Sequence, residues 1–140
     1  MKIEGKLTPP RGTKNKHWGV EIPVLEIYTQ GKSKADAYMM AKDAIESLVD
    51  KKGFKAICIP GKGNRFTISS NDTAIFVAFV LNRLRVARNL TTRQMAERLR
   101  SSSPNTYSLN EQARAIPKLD TLEALLRAID PTLGLVLTAG

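Results

Sequence analysis

One cysteine, Cys58, and one histidine, His17, are all that 140 residues hold of the two strongest metal-ligating side chains. A single thiol excludes an intrachain disulfide and a thiolate metal cluster. A lone histidine between Lys16 and Trp18 supports neither a metal site nor a catalytic dyad. No apolar run approaches the ~20 residues that a membrane span needs. The start, Met1-Lys2-Ile3-Glu4-Gly5, lacks the apolar core of a signal peptide. The expectation is a cytoplasmic chain with no membrane partner. Carboxylates are also scarce: 13 against 22 lysines and arginines, a formal charge of +9 and a pI near 9.9. That balance favours polyanionic partners without identifying one.

What is present is enough for a packed core, since 42% of the residues are hydrophobic. The length suits one domain or two small ones, and the charge distribution favours two. Residues 1–74 hold 13 basic and 8 acidic side chains, and residues 75–140 hold 9 and 5. Eleven of the 12 lysines fall in the first part and eight of the 10 arginines in the second. Lysine suits a solvated surface, whereas the planar fork of arginine suits phosphates and guanine edges. We expect an α+β domain over 1–70 and an all-α domain over 71–140 that ends in a strand.

In the first part, Lys2 to Leu7 alternates weakly and predicts a strand, followed by a breaker-rich loop over Pro9–Asn15. Trp18, Val20 and Ile22 alternate on one face of a second strand, which Pro23 ends or bulges. Leu25 to Tyr28 predicts a third strand, closing at Thr29-Gln30-Gly31, so that the three make an antiparallel meander. Ser33 caps a helix from Lys34 to Lys51, with Ala37, Met40, Ala41, Ala44, Ile45, Leu48 and Val49 at helical spacing and Gly53 as its end. Phe54–Ile59 reads as a fourth strand and Asn64–Ile68 as a short fifth. The predicted class is a small antiparallel sheet with one helix on one face. Ser69 to Asp72 reads as a polar linker that also offers helix caps.

The second part opens with an aliphatic helix from Thr73 to Arg88 that either packs against something beyond its own domain or is a buried core helix. Two helix starts then follow at close spacing. Thr91 or Thr92 caps the first, along which Met95, Ala96 and Leu99 form a narrow apolar face. Ser103 followed by Pro104 is the second, a capping hydroxyl and then proline at the first helical position. A short helix, a polar turn and a second capped helix fit the geometry that lays a recognition helix in a DNA groove. Candidate contacts follow from that geometry. Thr92, Arg93 and Gln94 open the first helix, and Gln94 can donate to a phosphate. Ser103, Asn105, Thr106, Ser108 and Leu109 lie near the exposed side of the second. Asn can pair with adenine, and Thr or Leu can touch the thymine methyl. Arg114 and Lys118 follow and can grip phosphate, whereas Tyr107 and Glu111 read as structural. A last helix begins at Asp120 or Thr121, carries Leu122, Leu125, Leu126 and Ile129, and stops at Pro131. Leu133 to Thr138 reads as a final strand, exposed unless paired, for which a second copy of the chain is one partner.

Both halves, in this order, resemble the HicB-type antitoxins of bacterial toxin–antitoxin pairs. In the first half the resemblance lies in Trp18-Gly19-Val20-Glu21-Ile22-Pro23, Thr29-Gln30-Gly31 and Ala37 to Val49. In the second it lies in Thr92 to Leu99 and Tyr107 to Leu125. It implies a truncated ribonuclease-H-like domain that occludes a small ribonuclease toxin, with Trp18, Thr29 and Gln30 as toxin-binding candidates. It also implies a Cro/repressor-type helix-turn-helix that binds operator DNA of its own operon, as a homodimer or higher oligomer. Departures are visible. Ser101 and Ala113 stand where the family's module usually has glycine, Asn110 where it prefers an apolar residue, and Leu109 where it often has a polar one. The first domain's positive charge also leaves docking of a basic nuclease to apolar and shape contacts.

Two other readings fit the same residues: a transcription regulator whose α+β domain is a sensor, and a metal-dependent RNA nuclease. The nuclease needs carboxylates converging on Mg²⁺. Glu4, Glu21, Glu26, Asp36 and Asp43 form no recognisable metal spacing, and Asp36, Asp43, Glu46 and Asp50 intersperse with lysines as solvated helix pairs do. Cys58 between Ile57 and Ile59 reads as a small hydrophobe, and Gly61-Lys62-Gly63 as a hairpin turn. The expectation is a non-enzymatic protein with no cofactor and no metal.

Overall fold

A computed structural model describes the chain except for Thr13, in the Pro9–Asn15 loop, Ser102, in the polar turn, and Gly140. The chain divides into two compact units, Met1–Phe76 and Val77–Gly140.

The first unit is built on a five-stranded sheet: β1 (Ile3–Thr8), β2 (Trp18–Ile22), β3 (Ile27–Gly31), β4 (Ala56–Pro60) and β5 (Arg65–Ser70), in the order β3-β2-β1-β5-β4. Every neighbouring pair is antiparallel, with Leu7 opposite Val20, Val20 opposite Thr29, and Gly5 opposite Phe66. Strand side chains alternate between faces, so Leu7, Val20, Ile22, Ile27, Ala56, Phe66 and Ile68 all turn to one side, where they are buried. The helix α1 (Lys34–Val49) covers that side with Ala37, Ala41 and Ile45, each fully buried. Each fully buried Leu, Ile or Phe contributes about 1.5–3 kcal/mol relative to its exposure.

Close packing explains two glycines. A Cβ on Gly31 would lie 2.4 Å from the backbone nitrogen of Ala37, so the first turn of α1 docks against bare backbone. A Cβ on Gly5 would enter the Phe66 ring, which in turn meets Tyr38 edge-on at 5.7 Å.

Several boundaries differ from the sequence reading for local backbone reasons. Pro23 ends the second strand, as expected, and does so by opening a 3-10 turn, Pro23–Leu25, followed by Glu26 in the left-handed region at φ 51°. The third strand therefore starts at Ile27 and runs through Thr29–Gly31, while Leu25 reaches the core from the turn. The helix α1 stops at Val49 because Asp50 takes the left-handed position directly after it and donates its N–H to the Glu46 carbonyl; Gly53, also at positive φ (82°), turns the chain three residues later. Ser69 and Ser70 belong to β5, opposite Ile57 and Ala56, and the linker reduces to Asn71 and Asp72. Asp72 caps the next helix, its Oδ1 accepting from Ile75 N at 3.0 Å.

That helix is α2 (Thr73–Ala87), inside which the division between the units falls, six residues beyond the expected domain boundary. The second unit continues with α3 (Thr92–Arg98), α4 (Pro104–Ser108) with a 3-10 turn over Leu109–Glu111, and α5 (Leu119–Ile129). Its buried residues are chiefly Leu81, Leu84, Met95, Ala96, Tyr107, Leu122, Leu125, Leu126 and Ile129. The last helix starts one residue earlier than expected, with Lys118 at its N-cap.

The expected C-terminal strand does not form within the chain. Among the described residues 133–139 are irregular, because the unit is otherwise helical and offers no strand to pair with. Val136 and Leu137 are 82% and 102% exposed. No helix among the described residues is long and apolar enough to cross a membrane.

Asn89, Arg100 and Ala113 of this unit have φ of 54°, 54° and 55°. Ala113 stands where a glycine was expected; in the turn the left-handed residue is Arg100, one position before Ser101. The left-handed region costs an L-residue roughly 1–2 kcal/mol, offset in part by the greater chain entropy of glycine. Ala113→Gly and Arg100→Gly should therefore each stabilise the protein by about 0.5–1 kcal/mol in urea titrations; a loss of stability in both would contradict this account of the turns.

Candidate nucleic-acid interface

The two short helices of the second unit are set by their caps. Thr91 Oγ1 accepts from Gln94 N at 3.1 Å, and Gln94 Oε1 accepts from Thr91 N at 2.9 Å, a reciprocal capping box. The Gln94 carbonyl oxygen is thereby committed to the helix start, and its amide nitrogen is the atom left to donate outward. In the turn, Ser101 N donates to Ala96 O at 2.8 Å and Ser101 Oγ donates to Ser103 O at 3.1 Å. Ser103 Oγ then accepts from Asn105 N at 3.3 Å and starts α4.

A carboxylate holds α4 in place. The Glu111 side chain is only 10% exposed and receives four hydrogen bonds. Arg85 donates through Nε (2.6 Å) and Nη2 (3.0 Å), Tyr107 through its hydroxyl (2.7 Å) and Asn82 through Nδ2 (3.0 Å). Burial pushes the Glu111 carboxyl up, but the donors from Arg85, Asn82 and Tyr107 outweigh it, and the group is held below its ordinary range. The Tyr107 hydroxyl is pushed far up by burial and by its bond to that carboxylate. Arg85 also donates from Nη1 to Leu90 O at 2.6 Å, which fixes the link between α2 and α3.

Two more arginines are spent on structure. Arg98 Nη1 donates to Ala128 O and Ile129 O, at 2.8 and 3.1 Å, satisfying carbonyls at the end of α5. Arg88 Nε donates to Asp130 Oδ2 at 2.8 Å, while Asp130 also accepts from the backbone and hydroxyl of Thr132. Those two Thr132 bonds, and then Arg88, hold the Asp130 carboxyl down to about 2.

With the inner face of α4 occupied by the fully buried Tyr107, the outer face remains for contact. Asn105, Thr106 and Leu109 are exposed and Ser108 is half-buried, its hydroxyl donating to Asn105 O. Thr106 and Leu109 share an open cleft of about 430 Å³ with Asn110, Arg114, Ile116 and Pro117. The structure thus gathers Thr106, Leu109 and Arg114 around one concavity. The apparent exchange of Leu109 and Asn110 has a local cause: Asn110 turns back and donates to Tyr107 O at 3.1 Å, closing the end of α4, and Leu109 points outward. Arg93, Gln94, Arg114 and Lys118 are all exposed, whereas Thr92 and Ser103 are half-buried.

The three candidates of the first unit are not brought together. Trp18 pairs with Gly31 and Thr29 with Val20, on the face α1 covers, whereas Gln30 pairs with Gly19 on the opposite face. Adjacent positions on one strand cannot share a face. Among the described residues no group of three or more His, Cys, Asp or Glu is placed to hold a metal ion.

The sequence reading took Glu111 and Tyr107 as structural but missed the partners, Arg85 and Asn82 on Glu111 and Arg98 at the end of α5. A glutamate two residues beyond a leucine and four beyond a tyrosine was a usable signal, because a carboxylate on the core side of a helix demands a cation.

Residues 77–132 match the family described as a helix-turn-helix domain. No curated protein matches the chain. The second unit therefore carries a helix-turn-helix, with α3 and α4 as its two helices, preceded by a small antiparallel sheet with one helix.

Removing one partner of a buried pair strands the other. Glu111→Ala should cost about 3–5 kcal/mol in urea unfolding. Because the folded carboxyl is held below its ordinary value, its contribution is complete above the ordinary carboxylate pKa and is lost as pH falls below it. Wild-type protein should accordingly lose more stability between pH 5 and pH 3 than Glu111→Gln does; equal losses would show that the carboxylate is not tied in this way.

Proposed function

We propose that the chain is a sequence-specific DNA-binding transcription regulator whose α+β unit is a binding module rather than an enzyme. The observation that carries this is the helix-turn-helix itself, with α4 pinned on its inner side by Glu111 and polar on its outer side. In this reading Asn105, Thr106, Ser108 and Leu109 meet base edges, and Arg93, Gln94, Arg114 and Lys118 meet phosphates, with Thr92 and Ser103 at the two helix starts. Operator DNA is the partner. Binding as a homodimer or higher oligomer joins two modest half-site affinities through one body.

A finer reading assigns the α+β unit to a protein partner, a small ribonuclease toxin, which makes the chain an antitoxin that represses its own operon in the cytoplasm. The support is the meander of β1, β2 and β3 followed by α1, in the order of the antitoxin motifs. Trp18 and Thr29 lie on the sheet face that α1 covers, and Gln30 lies exposed on the edge strand β3. Co-purification with the product of an adjacent gene separates this reading from a sensor of small ligands. Mg²⁺-dependent RNA cleavage by the pure protein, abolished by Asp or Glu substitutions, would reverse the non-enzymatic assignment.

On a duplex selected by the wild-type protein, Asn105→Ala should lose about 1–3 kcal/mol of discrimination against altered sites. Lys118→Ala should weaken all sequences alike and lower the salt slope by about 1. Anisotropy titrations over a salt series read both effects, and wild-type behaviour in both variants would remove this interface.

A further inference from the structure

The charge of the first unit is not spread over it. Strand order and direction put three connections at one end of the sheet: the β1–β2 loop, the β3–α1 junction and the β4–β5 turn. They bring together Arg11, Lys14 and Lys16 from the first, Lys32 and Lys34 from the second, and Lys62 from the third, all exposed. The single carboxylate there, Asp36, accepts from the backbone N–H of Lys32 at 2.8 Å. Arg65, which starts β5 and closes the third connection, lies at this end too, so seven of the unit's 13 bases and one of its eight acids are there, and elsewhere seven acids face six bases. Among the described residues none of these seven cations is in a salt bridge. Lys34 stands over the half-buried Trp18 ring at 5.8 Å, and the positive end of the 16-residue helix α1 opens at the same place. Gathering cations beside a helix N-terminus is electrostatically unfavourable, and among the described residues Asp36, in the first turn of α1, is the one carboxylate placed to offset them.

We propose that this end of the α+β unit is a second, sequence-independent site for the phosphate backbone of duplex DNA. The proposal rests on the DNA-binding reading of the second unit: a chain tethered to DNA by one module meets phosphates at high effective concentration with the other. Lysines on loops suit this role, because a flexible ammonium tracks a backbone without reading its sequence.

The test uses the full chain and a random-sequence duplex in anisotropy titrations over a salt series. Arg11→Ala/Lys16→Ala/Lys62→Ala is compared with Lys2→Ala/Lys51→Ala/Lys52→Ala, which removes the same charge away from this end. Three lost phosphate contacts should lower the slope of log K against log salt by about 2.7 for the first variant, with a change below one for the second. Equal slopes in the two variants would overturn the proposal, as would an effect of the first variant confined to capture of an acidic protein. The outcome is separable from the reading beneath it. If wild-type protein shows no preference between a selected and a scrambled duplex, the helix-turn-helix reading fails, and a slope that still drops in the first variant alone sustains the second site.

Discussion

The carboxylate of Glu111 sits almost out of water on the inner side of the second unit, and its neutralisation dictates how three segments meet. An ionised group in that position is tolerated only when charge and hydrogen bonds are both supplied. Here the charge comes from Arg85 on α2, and further donors come from Asn82 one turn earlier and Tyr107 one turn before the glutamate. Satisfying one anion therefore fixes α2 against α4 and its 3-10 extension. The remaining Arg85 donor, spent on Leu90 O, extends the constraint to the start of α3. The orientation of α4 follows: Tyr107 must face in, so Asn105, Thr106 and Leu109 face out.

The first unit solves its packing without any such pair. Its helix approaches the sheet through Ala37 and Ala41 over Gly31, where a single added carbon would collide with backbone. Its ionisable groups remain at the surface, and among the described residues its salt bridge joins Glu46 on α1 to Lys55, just before β4, at 3.4 Å. The two halves thus use charge differently. In the second unit, arginines 85, 88 and 98 are turned inward to carboxylates and carbonyls. In the first, the lysines of the loops are left facing solvent at one end.

Much of the fold was legible in the residues. Period-two alternation at Trp18, Val20 and Ile22, helical spacing from Ala37 to Ile45, and the Ser103–Pro104 start all survive as β2, α1 and α4, because each reports a local rule that tertiary packing reinforces. Strand and helix ends were less legible. Leu25 is fully buried yet lies in a turn, and Asp50 ends α1 three residues before Gly53, although both have positive φ, since hydrophobicity and glycine content do not encode backbone direction. Leu133 to Thr138 has strand composition but, among the described residues of its unit, no strand to pair with. At the candidate interface the exposed positions on α4 were readable from the helix start and the inward tyrosine. The role of the arginines was not: composition counts guanidinium groups without saying that three of them are spent on Glu111, Asp130 and the end of α5.

The central claim is that the outer face of α4 and the cleft beside it meet DNA because the buried glutamate holds the helix in that attitude. Backbone amide chemical-shift mapping during titration with a selected duplex tests it most directly. The account predicts that the largest shifts fall at Gln94, Asn105, Thr106, Leu109 and Arg114, with Tyr107 and Leu125 little moved. Shifts that spare the residues from Asn105 to Arg114 while the duplex binds would contradict it.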